Sequence, residues 1–327
     1  MWLAAVAASL LTACTTVTPD ATGTASPDPQ RPQATAPATT APSAVAGTAT
    51  PLAAAVVLDG PPESLAGIDG AATVIERSLP AGGTGAVVVT RHAPAAVGPL
   101  RAASAADATL ATMWRADLVT TRATTAAVTA RRDPGLAVVE EGTASGAVLR
   151  DPARLAPHNA YAVAHTARSA AARAVATPAT DRATPWTVAP PPVAGGSAID
   201  QVAVDVPGAR TVTWSWDARS GTWRRAVDGD RQLAAGGAPI TAGTVIVAET
   251  DTGHPRDLHG AGAAVVLRAG RRYAARWHGA GASTVPQVDQ RDGSPFPVGG
   301  TVWLHLCEVP CARRITASAR RPYGAPR

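Results

Sequence analysis

The sequence predicts a chain of the α+β or α/β class, with an N-terminal α/β layered domain followed by a smaller, mostly antiparallel β domain. Three observations predict it. Short β-branched runs bounded by Gly and Pro alternate with Ala-rich stretches over residues 52–180. A Pro/Gly-rich stretch over 181–198 then reads as a linker. Beyond it, over 199–310, Val and Trp recur at every second position, the period of a strand.

Within 52–180, Ala53–Leu58 and Ala86–Thr90 read as buried strands. Ser64–Leu79 reads as a loop leading into a helical turn around Val74 and Glu76. Gly98-Pro99 opens an Ala- and Leu-rich segment reaching Trp114, and Pro suits a first helical turn. Asp117–Thr121 predicts another strand. Asn159–Ala176, with Arg168 and Arg173 spaced along it, predicts a helix.

In the second domain Val202, Val204 and Val206 alternate, and Val212, Trp214 and Trp216 share one face. Asp217–Gly221 reads as a hairpin loop into Thr222–Val227, and Asp228-Gly229 as a further turn. Val245–Val247, Ala264–Leu267, Tyr273–Trp277 and Val302–Leu306 complete a compact antiparallel sheet or small barrel. Its tryptophans fit core and cross-strand packing better than a sugar platform.

The composition excludes several classes. With 29 prolines and 30 glycines in 327 residues, no coiled-coil heptad survives. The formal charge of +5 comes from arginine alone, because the chain has no lysine. Arg313, Arg314, Arg320, Arg321 and Arg327 lie in the tail after Cys311, leaving 24 arginines to face 24 Asp and Glu upstream. A neutral body with a basic tail over 311–327 is no nucleic-acid groove.

The N-terminus carries a location. Trp2–Leu11 is apolar, and Leu11-Thr12-Ala13-Cys14 has the form of a bacterial lipobox. Residues 1–13 thus read as a lipoprotein signal peptide, with Cys14 as the lipidated residue, although Met1-Trp2 supplies no basic side chain. The tract that follows, to residue 51, is almost wholly Thr, Ala, Pro, Ser and Gly. It cannot bury enough apolar surface to offset its chain entropy, and reads as a disordered tether. The expected place is the extracytoplasmic face of the cell membrane, held through the lipid on Cys14. Cys307 and Cys311 are then an even exported pair, expected to form a disulfide. No further Cys or His pair completes a four-ligand set with His305, so neither metal nor cofactor is expected.

One segment is chemically dense: Arg150-Asp151-Pro152-Ala153-Arg154-Leu155-Ala156-Pro157-His158-Asn159-Ala160-Tyr161. Asn159 is the only asparagine of the chain. Arg forks match carboxylate or phosphate oxygens, His gives or takes a proton near neutrality, and Asn does both jobs of a hydrogen bond without charge. A purely local reading also stands, with Asn159 capping the following helix and Asp151 paired to Arg150 or Arg154.

This stretch, Arg-Asp-x-x-Arg-x-Ala-Pro-His-Asn-x-Tyr, resembles the signature of the YerB-like bacterial lipoproteins, a two-domain family of unknown function. Ala54–Asp59, Val74-Ile75-Glu76, Val97-Gly98-Pro99-Leu100-Arg101, Trp214–Val227 and Arg268–Leu306 resemble its other blocks in order. Arg101-Ala102-Ala103-Ser104 lacks a second Arg common in the family, and Thr120–Thr124 replaces a Gly-rich block. The resemblance implies location and fold, and supplies no substrate.

The expected function is a lipid-anchored envelope protein that binds an anionic cell-wall or lipid group. Its pocket would gather Arg101, Arg150, Asp151, Arg154, His158, Asn159 and Glu76. The alternative is an envelope hydrolase or transferase with His158 as general base.

Overall fold

The β-branched runs do form strands, but the Ala-rich stretches between them do not build a helical layer. The computed structural model describes residues 54–58, 65–79, 84–90, 96–130, 137–143, 146–163, 186–192, 195–205, 211–250, 258–281, 284–308 and 316–319. Cys14, the predicted signal peptide, the tether and Cys311 lie outside them.

In chain order the first elements are β1 (Ala54–Leu58), β2 (Ala71–Ser78), β3 (Thr84–Thr90), α1 (Ala105–Met113), β4 (Asp117–Thr120), α2 (Thr125–Ala130), β5 (Val138–Glu140), β6 (Val148–Arg150) and β7 (Ala160–Ala162). They are followed by β8 (Ser197–Asp205), β9 (Thr211–Asp217), β10 (Thr222–Val227), β11 (Asp230–Arg231), β12 (Thr241–Ala242) and β13 (Thr244–Thr250). The last are β14 (His259–Arg268), β15 (Arg271–Ala280), β16 (Gln287–Asp289), β17 (Val302–Glu308) and β18 (Thr316–Ala319).

Sixteen strands join one mixed sheet in the order β11-β10-β9-β8-β15-β14-β13-β17-β2-β3-β1-β4-β5, with β12, β16 and β18 added at β10, β15 and β8. The pairs β13–β17, β17–β2, β1–β4 and β4–β5 are parallel. The α+β or α/β layered expectation is therefore overturned: the chain is mostly β, built on a large curled mixed sheet. The physical reason is visible in β2. Val74 and Ile75 are both fully buried, so its two faces are covered and the strand shows no alternation to separate it from a helix.

Three local expectations change with it. Val74–Glu76 lies in β2, not in a helical turn. The helix predicted from Gly98-Pro99 begins only at Ala105, where Ser104 and Asp107 form a capping box. Asn159 starts no helix; it ends a turn and β7 follows, while residues 164–176 lie outside the described ones. The C-terminal strands stand close to where the alternation puts them. Asp228-Gly229 is the predicted turn, with positive φ at both residues (51° and 90°). Ala269-Gly270, between β14 and β15, turns in the same way (49° and 69°) without having been predicted.

The sheet separates two apolar cores. One holds Val74, Trp214, Trp223, Leu267 and Trp303; the other holds Ile75, Leu110, Trp114, Val266, Phe296 and Leu304. Inside the predicted linker, Trp186 is buried edge-on against Trp114 at 5.9 Å and donates to the Pro286 carbonyl at 2.8 Å. Inside the predicted tail, Thr316–Ala319 pairs with β8. Among the described residues no helix is long and apolar enough to cross a membrane.

Candidate functional site

Strand geometry sends Glu76 and Arg77, neighbours on β2, to opposite sides of the sheet, and both are buried. Each has a partner waiting. Arg225 of β10 donates to Glu76 Oε1 at 2.6 Å, and Trp303 of β17 donates its indole N–H to Oε2 at 2.8 Å. His305 Nδ1 stands 3.4 Å from the same Oε2, and Trp214 donates to His305 Nε2 at 2.9 Å. The Arg225 guanidinium also lies 4.8 Å from the Trp303 ring centre. Burial alone would raise the Glu76 carboxyl, but Arg225, His305 and the Trp303 N–H outweigh it and hold the pKa below the ordinary value. Burial, with Arg225 adding to it, lowers His305 to about 4 against the pull of Glu76. The imidazole is neutral at pH 7.

On the other side, Arg77 donates to Asp107 Oδ1 at 2.6 Å and Arg101 reaches the same oxygen at 3.1 Å. Oδ2 accepts from the Ser104 amide and hydroxyl, each at 2.8 Å. One carboxylate, fully buried at the start of α1, thus holds two arginines and a helix cap. Burial would raise its pKa; Arg101, Arg77 and the Ser104 amide bring it below the ordinary value.

The dense segment forms a third network, at the surface. Arg150 donates to both Glu141 oxygens at 2.6 Å and to Asn159 Oδ1 at 2.8 Å. The Asp151 amide bonds the Asn159 carbonyl at 2.7 Å, which closes the loop between β6 and β7. Asp151 then accepts from the Ala153 amide at 2.9 Å and from Arg154 Nε at 3.1 Å. The Arg154 guanidinium lies 5.5 Å from the Tyr161 ring centre, and Leu155 at the tip is 88% exposed. His158 is half-buried, and its Nδ1 has no hydrogen-bond partner.

Of the seven residues expected to share one pocket, Arg150, Asp151, Arg154 and Asn159 form this surface network, and His158 belongs to the same loop. Arg101 bonds within the Asp107 cluster, and Glu76 within the Arg225–His305 cluster. The β7 strand does touch the Gly98-Pro99 block, through the Leu100 amide on the Ala160 carbonyl at 2.7 Å. Sequence reasoning missed Arg77, Asp107 and Arg225. The available signal was the adjacent Glu76-Arg77 pair in an apolar run, since two buried charges on opposite faces require two separate partners.

A family model described as the N-terminal domain of a protein of unknown function (DUF3048) matches residues 39–177. The model of the C-terminal domain of the same family matches residues 202–304. The chain belongs to the DUF3048 family. The crystal structure of YerB protein from Bacillus subtilis is similar over 83% of this chain and 96% of its own, with a TM-score of 0.69 at 19% identity. At that identity the likeness shows a shared fold. A comparison with curated proteins finds no match. Two of the segments that carry the resemblance, Val97–Arg101 and Arg150–Tyr161, meet at β7.

Proposed function

We propose that this DUF3048 member is a lipid-anchored, extracytoplasmic binding protein whose recognition element is the 150–159 loop, taking an anionic envelope group. The observation that supports it is how the loop divides its two arginines. Arg150 is engaged along its whole fork by Glu141 and Asn159, so it shapes the loop. Arg154 uses only Nε on Asp151, leaving its outer guanidinium edge directed to a ligand beside exposed Leu155. Binding fits better than catalysis by His158, because a general base needs an orienting partner and Nδ1 has none. Lipidation at Cys14 and a Cys307–Cys311 disulfide belong to the same reading; Cys307 is buried at the end of β17.

Two experiments test it. Replacing Cys14 with Ala should release the protein from the membrane fraction; retention equal to the parent's defeats the anchor. The full chain in non-ionic detergent is titrated with glycerol 3-phosphate, with glycerol as control. Arg154→Ala and His158→Ala should abolish phosphate binding while the melting temperature stays unchanged. Undiminished binding in both variants overturns the site.

A further inference from the structure

A second surface carries cations in a different arrangement. Tyr273, Ala275 and Trp277 of β15 point into the core, so the alternate residues Arg272, Ala274, Arg276, His278 and Ala280 share the other face. In register on β14, His259 stands opposite Ala280, Ala261 opposite His278 and Ala263 opposite Arg276. All of these are exposed except Arg272, which is half-buried. Four cationic or protonatable side chains thus rise from a floor of alanine. The nearby carboxylate is Asp289 on β16, across from Arg276, and its Oδ2 lies 3.0 Å from His278 Nδ1. Among the described residues neither Arg272 nor Arg276 is in an ion pair, whereas Arg150, Arg154, Arg224 and Arg225 each are.

We propose that this face binds an extended anionic polymer of the polyol-phosphate type. Side chains two apart on a strand stand about 7 Å apart, so Arg272 and Arg276 present charge about 14 Å apart along one line, with His278 one step further on. A ligand whose charge also repeats along a line is complementary to it. A single-stranded nucleic acid would need aromatic platforms for its bases, and the aromatics of this strand are buried on the opposite face. An anionic bilayer surface attracts broad clusters of four or more basic residues, whereas this face carries two arginines in one line. The surface is independent of the 150–159 loop, and either assignment can fail without the other.

The test titrates the full chain, in non-ionic detergent, with synthetic poly(glycerol phosphate). Parallel titrations use poly-dT and phosphatidylglycerol vesicles. Arg276→Glu, at an exposed position, should weaken polymer binding about tenfold, and Arg272→Ala with Arg276→Ala should also flatten its salt dependence. The same titrations are repeated in the Arg154→Ala background, which removes the contribution of the 150–159 loop, and the loss caused by Arg276→Glu should persist there. Polymer binding unchanged in Arg276→Glu overturns the proposal. So does tighter binding of poly-dT, or binding to vesicles alone.

Discussion

The indole N–H of Trp214 donates to Nε2 of His305 at 2.9 Å, which makes that nitrogen an acceptor and puts the imidazole proton on Nδ1, toward Glu76. An indole can only donate. Protonating His305 would therefore set two N–H groups against each other, in a site already closed to water.

Acid should weaken the fold through this residue. His305 titrates at about 4 in the native state and near 6.5 in the unfolded chain, so between these values only the unfolded chain takes up the proton. Stability is complete above about pH 6.5 and falls by about 3 kcal/mol toward pH 4. Glu76, whose native pKa is lowered, adds to the loss as it protonates below its unfolded value. Urea titrations across this range check it. His305→Gln, which keeps an acceptor for Trp214, should flatten the slope; an unaltered slope would refute the assignment.

Asp107→Asn should cost about 3 kcal/mol, the scale for breaking a buried ion pair. It leaves Arg77 and Arg101 facing an amide, and Arg77 has no exposure to escape to. Arg224→Ala, which removes a surface pair with Asp217, should hardly move the denaturant midpoint. If both variants unfold at the same midpoint, Asp107 does not organise this side of the sheet.

Gly98→Ala should destabilise by about 2 kcal/mol, as overpacking does. A Cβ there would stand 2.6 Å from Tyr161 Cδ1 and 2.8 Å from the Ala160 carbonyl oxygen, and the carbonyl belongs to a paired strand that cannot give way. Hydrogen exchange should quicken first at Ala160 and Ala162. A variant with parental exchange there would show that the contact is slack.

Alkylating the purified protein without reductant should leave the Cys307–Cys311 peptide unmodified. Two added carbamidomethyl groups would exclude the disulfide. Reduction should cost only about 1–2 kcal/mol, because so short a loop restricts the unfolded chain little.

Legibility in the sequence followed the number of covered faces. Val212-Thr213-Trp214-Ser215 alternates because Trp214 is buried while Thr213 and Ser215 are half-covered, so β9 could be read directly. Val87, Val88 and Val89 are all buried, and β2 carries charge on both faces, so neither advertises its partner. Parallel pairing hides further: nothing local in Val302–Leu306 names Thr73–Arg77 as the strand beside it. For the site, the dense segment was visible as composition, but its division of labour was not. Glu141 lies nine residues before Arg150, and only the fold shows that it occupies the Arg150 fork.

The place of β2 between β3 and β17 sets an order of events. β3 follows within a few residues, whereas β17 arrives more than two hundred residues later. Until then Glu76 has neither the Trp303 N–H nor His305 beside it, and one edge of β2 stays open. A ribosome that releases this chain from its N-terminus offers Arg225 to Glu76 before Trp303 and His305 exist, and the late strand is the keystone that lets the sheet close.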